Sequence, residues 1–174
     1  MKIRLALSLL CISLVFPLAS AQQAKPLEPE MMRLVYFLDS TDHTLKPLPR
    51  ETAKIVAGRG AFSNTAKGSA QIPGVASTFR LKGGQDLEFV VQCTNPENYE
   101  LHMFKAKGKN REALLSTAKI GWNQKETVQR EGAIAFDMAK YGESSYRFVV
   151  KGLAPGEYAF LNDLNSFDFA IDAP

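Results

Sequence analysis

The sequence predicts an all-β protein, a single antiparallel β-sandwich. Three observations predict it: apolar runs of strand length recur with turn residues between them, several of them alternate with polar residues, and no long stretch carries helical periodicity. Tyr146, Phe148 and Val150 are interleaved with Arg147 and Lys151, and Phe167, Phe169 and Ile171 with Asp168, Ala170 and Asp172. Each such strand offers one apolar face, and the simplest burial of many such faces is a second sheet packed on the first.

The chain opens on Lys2 and Arg4, an apolar run from Leu5 to Leu18, and then Ala19-Ser20-Ala21. That order of charged, apolar and small residues is a secretory signal peptide over 1–21, with cleavage expected after Ala21. The run is too short for a permanent spanning helix, and Leu9-Leu10 before Cys11 do not make a lipidation site. No transmembrane anchor is expected after cleavage, and the expected location is the periplasm or the exterior. Residues 22–30, with two prolines and little apolar periodicity, read as an extended or mobile lead-in, and the sandwich domain is expected over 31–174.

Within that domain, strands are expected at 34–38, 45–48, 53–56, 77–81, 87–93, 100–106, 111–116, 134–138, 146–150, 158–161 and 167–171. Asp39-Ser40-Thr41-Asp42-His43, Lys82-Gly83-Gly84-Gln85-Asp86 and Lys107-Gly108-Lys109-Asn110 are turn-forming stretches between them. Two regions lack a strand pattern: 58–74, rich in Gly, Ala and Ser, and 118–132, polar and aperiodic. Both read as long loops, the second with room for a short helix.

Charge excludes a function class. The leader carries two basic residues and no acid, so the mature chain holds 19 basic against 18 acidic residues, a net charge of +1 against +3 for the whole. A nucleic-acid binder would carry a strong positive excess. Cysteine excludes another device: only Cys93 remains after cleavage, so no internal disulfide forms even in an oxidising compartment. Strand parity puts Cys93 on the face of Leu87, Phe89 and Val91, as a buried apolar thiol.

No residue set compels a catalytic chemistry, and no catalytic, cofactor-binding or metal-binding residue is assigned. Metal sites need several converging ligands, but His43, His102 and Cys93 are far apart in sequence; His102 reads as a satisfied structural histidine on a strand and His43 as a solvated turn residue. There is no Gly-x-Ser-x-Gly elbow, and Ser116-Thr117-Ala118-Lys119 lacks the companion motifs of a Ser-x-x-Lys enzyme. Gly58-Arg59-Gly60 and Lys67-Gly68-Ser69 do not make a phosphate loop. Asp137, Asp163, Asp168 and Asp172 are the carboxylates that a glycosidase-like pair would draw on, and a wet sheet face explains their alternation with apolar residues.

The most distinctive charge feature is Lys105-Ala106-Lys107-Gly108-Lys109-Asn110-Arg111, basic at every second residue. On a strand and hairpin this spacing gathers Lys105, Lys107 and Arg111, with Lys109 near them, as a candidate anion- or partner-binding patch. The competing explanation is a hairpin whose lysines guard a sheet edge against pairing with other chains.

Near the C-terminus, Leu153-Ala154-Pro155-Gly156-Glu157-Tyr158 resembles the Leu-x-Pro-Gly-x-Tyr turn of exported β-sandwiches, including fibronectin type III-like and carboxypeptidase-regulatory-like domains. The resemblance implies an Ig-like or transthyretin-like sandwich. In that corner Leu153 plugs the sandwich edge and Tyr158 buries its ring while its hydroxyl bonds backbone. The opening 35–39 and 45–48 and the ending 167–172 also resemble bacterial exported proteins, a resemblance that carries no activity. The leading functional expectation is an exported non-enzymatic binding or scaffolding module of the bacterial envelope, its partner an envelope protein or anionic polymer. A small hydrolase with a spatially assembled Asp, Glu and His site, and a structural subunit pairing through an edge strand, are the alternatives.

Overall fold

The structure, a computed structural model, describes residues 26–59, 64–119 and 127–173. The expected leader, with Cys11 and the expected cleavage point after Ala21, lies outside the described residues. The strands in chain order are β1 (Val35–Asp39), β2 (Thr44–Pro47), β3 (Arg50–Thr52), β4 (Lys54–Arg59) and β5 (Thr65–Pro73). They continue as β6 (Arg80–Lys82), β7 (Leu87–Gln92), β8 (Glu100–Lys107), β9 (Asn110–Lys119) and β10 (Thr127–Arg130). The last are β11 (Ala133–Ile134), β12 (Asp137–Tyr141), β13 (Ser145–Val150), β14 (Gly156–Asn162) and β15 (Asn165–Asp172). A turn of 3-10 helix, Pro96–Asn98, leads into β8. The fold is all-β, and its two sheets are antiparallel except where short β6 joins β15 in parallel.

The five-stranded sheet has the order β12-β13-β7-β1-β2, and the ten-stranded sheet the order β3-β15-β14-β8-β9-β5-β4, with β10 beside β9 and β11 beside β8. Alternation decides what lies between them. Phe37, Leu87, Phe89, Val91, Phe148 and Val150 from the first sheet meet Leu101, Tyr158, Phe160, Phe167, Phe169 and Ile171 from the second in one aromatic core. Phe89 touches Phe160 and Phe169 at 5.0 Å between ring centroids, in tilted and edge-on geometries that the ring quadrupole favours.

The larger sheet closes on itself. Its two ends, β3 and β4, are consecutive in sequence with only Ala53 between them, so one continuous segment pairs with β15 through Thr52 and with β5 through Lys54. Ala53 marks the change of partner, its N–H donating to the Leu164 carbonyl at 2.7 Å. The curl encloses a second, smaller core of Ala53, Ala70, Ile72, Phe104, Ala113, Ala159 and Leu161. Short side chains dominate it because a tightly coiled sheet leaves little room inside.

This closure corrects three expectations. β14 and β15 have both faces covered, so Asp168 is 2% exposed rather than on a wet face. The segment expected as a loop at 58–74 contributes β5, whose Gly, Ala and Ser residues permit close packing; a Cβ on Gly68 would come within 2.6 Å of Ser116 Oγ. The second expected loop contributes the end of β9 and all of β10, and no helix among its described residues.

The Leu-x-Pro-Gly-x-Tyr corner is built in the expected way. The Tyr158 hydroxyl donates to the Ala154 carbonyl at 2.8 Å, its ring stacks on Phe169, and Leu153 packs on the aromatic core. Burial pushes the Tyr158 phenol above its ordinary value. Tyr158→Phe keeps the ring and deletes one hydrogen bond; the expected loss is about 1 kcal/mol in a urea titration.

The lead-in is extended, and from Glu28 it belongs to the domain. Pro29 is buried, Met32 bridges Gln92, and the Glu28 carboxylate accepts from the N–H groups of Glu143 and Ser144 and the hydroxyls of Ser144 and Ser145. Gly142 makes room for that carboxylate, since a Cβ there would overlap it. These bonds, the Glu143 N–H first, hold Glu28 down at about 2 from the ordinary 4.5. A depressed carboxylate contributes stability that is complete above the unfolded value and vanishes as pH falls through the folded one. The stability gap between the parent and Glu28→Gln is therefore expected to be full above pH 4.5 and to close toward about pH 2, as read by denaturant midpoints across that range.

Candidate functional site: a lysine-rimmed groove

The β8–β9 hairpin turns at Gly108, whose φ of +64° suits a two-residue connection between Lys107 and Asn110. The two strands pair only from Lys105 to Lys107 against Asn110 to Glu112 and then part. β9 continues along β5 while β8 continues along β14, and the chain from Thr127 to Ile134 enters the fork, β10 on β9 and β11 on β8. Gly132 sits at its base with φ +71°, where a Cβ would come within 2.9 Å of the Leu114 carbonyl. Only glycine fits both constraints.

Over this fork the outer sheet surface forms a groove of about 430 Å³, walled by Met103 and Leu114 and rimmed by Lys67, Lys105 and Lys107. A second groove of about 420 Å³ runs on across β5 and β4, sharing Lys67, Ser69, Lys107 and Glu112 and adding Val56, Thr65 and Arg59. Pairing explains the convergence: β5 lies beside β9, bringing Lys67 to a surface that β8 supplies from almost forty positions later in the chain. Glu112 faces Lys105 on one side and Gln71 on the other. Its carboxylate accepts from Lys107 Nζ at 2.5 Å and Gln71 Nε2 at 2.7 Å, and these bonds, Lys107's first, hold it below the usual carboxylate range. Among the described residues, Lys67 and Lys105 have no carboxylate partner. The groove thus carries positive charge that its own acid does not balance.

Of the four expected patch residues, Lys105 and Lys107 line the groove, while Lys109 stands exposed at the hairpin turn outside it. Arg111 leaves the patch altogether. It is 2% exposed and points into the curl of the large sheet, where its guanidinium donates to Asp168 Oδ2 at 2.8 Å and Glu157 Oε2 at 3.1 Å and to the carbonyls of Pro73 and Gly74. Its parity is that of Ala113, a residue of the inner core, and two carboxylates within reach compensate for its burial. Lys67 is the residue missed, because its neighbours Ala66, Gly68, Ser69 and Ala70 lack the bulky alternation that marks a strand; the weak signal was Ala70 and Ile72 flanked by Ser69, Gln71 and Pro73.

The edge-guard explanation covers little of this. β9 pairs with β5 as far as Asn110 and β8 with β14 up to Phe104, so the unpaired edge is confined to Lys105–Lys107. Lys67 lies between paired neighbours on both sides.

The other candidates stay apart. Asp168 binds Arg111, Asp172 binds Arg80, Asp137 binds Lys151, and Asp163 occupies the β14–β15 turn at φ +55°. Ser116 and Lys119 are three positions apart on one strand, which turns them to opposite faces. His102 is buried with Nε2 at 3.2 Å from Glu100 Oε2, but its Nδ1 has no partner among the described residues, so there it is only half satisfied. Cys93 lies one residue past β7, half-buried against the aromatic core, its thiol pushed up by burial and then by Glu97. Among the described residues no group of three His, Cys, Asp or Glu is arranged to hold a metal, and no helix is long and apolar enough to cross a membrane.

No family model, curated protein or solved structure matches the chain. The groove therefore has to be read on its own chemistry.

Proposed function

We propose that the mature chain is an exported, non-enzymatic binding module of the bacterial envelope, and that it holds an anionic partner in the lysine-rimmed groove. The observation that carries this reading is the meeting of Lys67 from β5 with Lys105 and Lys107 from β8, around one groove whose only acid among the described residues is already engaged. Basic groups on a concave surface focus potential and raise the local concentration of anions. The signal-peptide pattern supports export, and the corner at Tyr158 supports assigning the two-sheet half to the Ig-like or transthyretin-like sandwiches, a scaffold used for binding as well as for enzyme appendages.

The test is capture from the envelope fraction by the parent and by a Lys67→Glu, Lys105→Glu, Lys107→Glu variant. Capture is expected to fall on charge reversal and with added salt, because exposed charges are screened over about 8 Å at physiological ionic strength. Light scattering on the matching Lys→Gln set reads the edge-guard alternative. Unchanged capture with increased self-association of the Gln set would overturn the binding reading in favour of a guarded edge.

A further inference from the structure

We propose that the ligand of this groove is a single-chain anionic amphiphile, its headgroup held by the lysines and its tail laid along an apolar row between them. This rests on the binding reading above and adds the chemical class of the ligand. Register places the row. Leu114 pairs with Ser69 and Ser69 with Val56, so these three stand abreast across β9, β5 and β4; Met103 walls the first groove from β8 beside Leu114 and Ser69, and Val56 lines the second, which shares Ser69. The three paired strands β9, β5 and β4, about 4.8 Å apart, span roughly 10 Å, and Met103 extends the row across the fork to the scale of a medium alkyl chain.

Lysines flank the row on both sides. Lys105 is two residues before the β8 turn residue Lys107 and pairs with Glu112, two positions from Leu114 on β9, whereas Lys67 lies two positions beyond Ser69 on β5, toward the opposite end of the strands. The apolar members are open to solvent: Met103 is 38% and Leu114 37% exposed. Met103 can lie flat because residue 156 is glycine; a Cβ there would come within 2.7 Å of its methyl group. A purely ionic polymer would gain nothing from Met103 and Leu114, and a purely apolar ligand nothing from Lys67 and Lys105. An amphiphile uses both, and the charge complementarity selects an anionic head.

The experiment titrates the mature protein, labelled with 13C at its methionine methyls, with dodecyl phosphate below its micelle concentration, with uncharged dodecyl maltoside, and with polyphosphate. Saturable binding of dodecyl phosphate is expected, moving the Met103 methyl signal and leaving Met138, on the other sheet, in place. Leu114→Ser, and Met103→Ser as the alternative if the first does not fold, should weaken dodecyl phosphate about tenfold, the loss of one buried apolar side chain, while leaving polyphosphate binding unchanged. Charge reversal at Lys67, Lys105 and Lys107 should abolish both. Polyphosphate binding as tightly as dodecyl phosphate, or dodecyl maltoside matching it, overturns the amphiphile and leaves an anion site or an apolar one. Failure of every probe to bind, or a still Met103 signal, overturns the amphiphile, and the envelope capture then tests the anionic groove by itself.

Discussion

Arg111→Ala should destabilise the protein by about 3–5 kcal/mol, the range found when one member of a buried ion pair is removed. Asp168 is as buried as Arg111, and among the described residues the guanidinium is the one hydrogen-bond partner of its side chain, Oδ1 having none. Glu157 is better provided for, since Oε2 also accepts from the Ser77 N–H at 2.6 Å and Oε1 lies 3.6 Å from Arg80. The loss should therefore come mainly from the stranded Asp168. A paired Arg111→Met, Asp168→Leu variant should recover most of it, because a buried ion pair costs much of its attraction in desolvation and tolerates an apolar replacement of similar volume. Urea midpoints of the two variants decide the matter; a double variant no more stable than Arg111→Ala would place the energy in the carbonyl contacts at Pro73 and Gly74.

Phe160→Ala is expected to cost about 3–5 kcal/mol, the usual range for deleting a buried aromatic ring that its neighbours cannot collapse onto. Phe160 is fully buried and its ring meets those of Phe89, Phe148 and Phe169 from the two sheets and of Phe136 from the β11–β12 connection at 5.0 to 6.0 Å, so four neighbours would face the void. Phe160→Leu, which refills most of the volume, should cost markedly less. Denaturant midpoints with an unchanged slope would show that stability, and not the compactness of the unfolded chain, has moved.

Most of the aromatic core was legible in the sequence. Phe148 and Val150, and Phe167, Phe169 and Ile171, have the parity the alternation predicts, and the Tyr158 corner was visible from its turn residues. What alternation could not reveal is a second layer on the far side of β14 and β15: Asp168 and Ala170 alternate with the apolar face as solvent-facing residues do, yet both are buried, as are Ala159 and Ser166 beside them. A polar residue on a curled sheet is indistinguishable in sequence from one on an open sheet until its partner is known, and Asp168 finds Arg111 57 residues away. The site was half legible for the same reason. Lys105 and Lys107 declare themselves by local spacing, whereas Lys67 reaches the groove only through the pairing of β5 with β9, and Arg111 is taken out of it by an interior that local pattern does not reveal.

The single-residue switch at Ala53 also sets how far apart in sequence the folding contacts must form. The bond from Ser166 Oγ to the Glu51 carbonyl joins residues 115 positions apart, and β15 also carries β14, β6 and, on the other side of Ala53, the route to β4 and β5. The seam thus joins segments more than a hundred positions apart, and contacts so distant in sequence form slowly. Closure of the ring is therefore expected to be a late step of folding, since it depends on the distant pairing of β3 with β15.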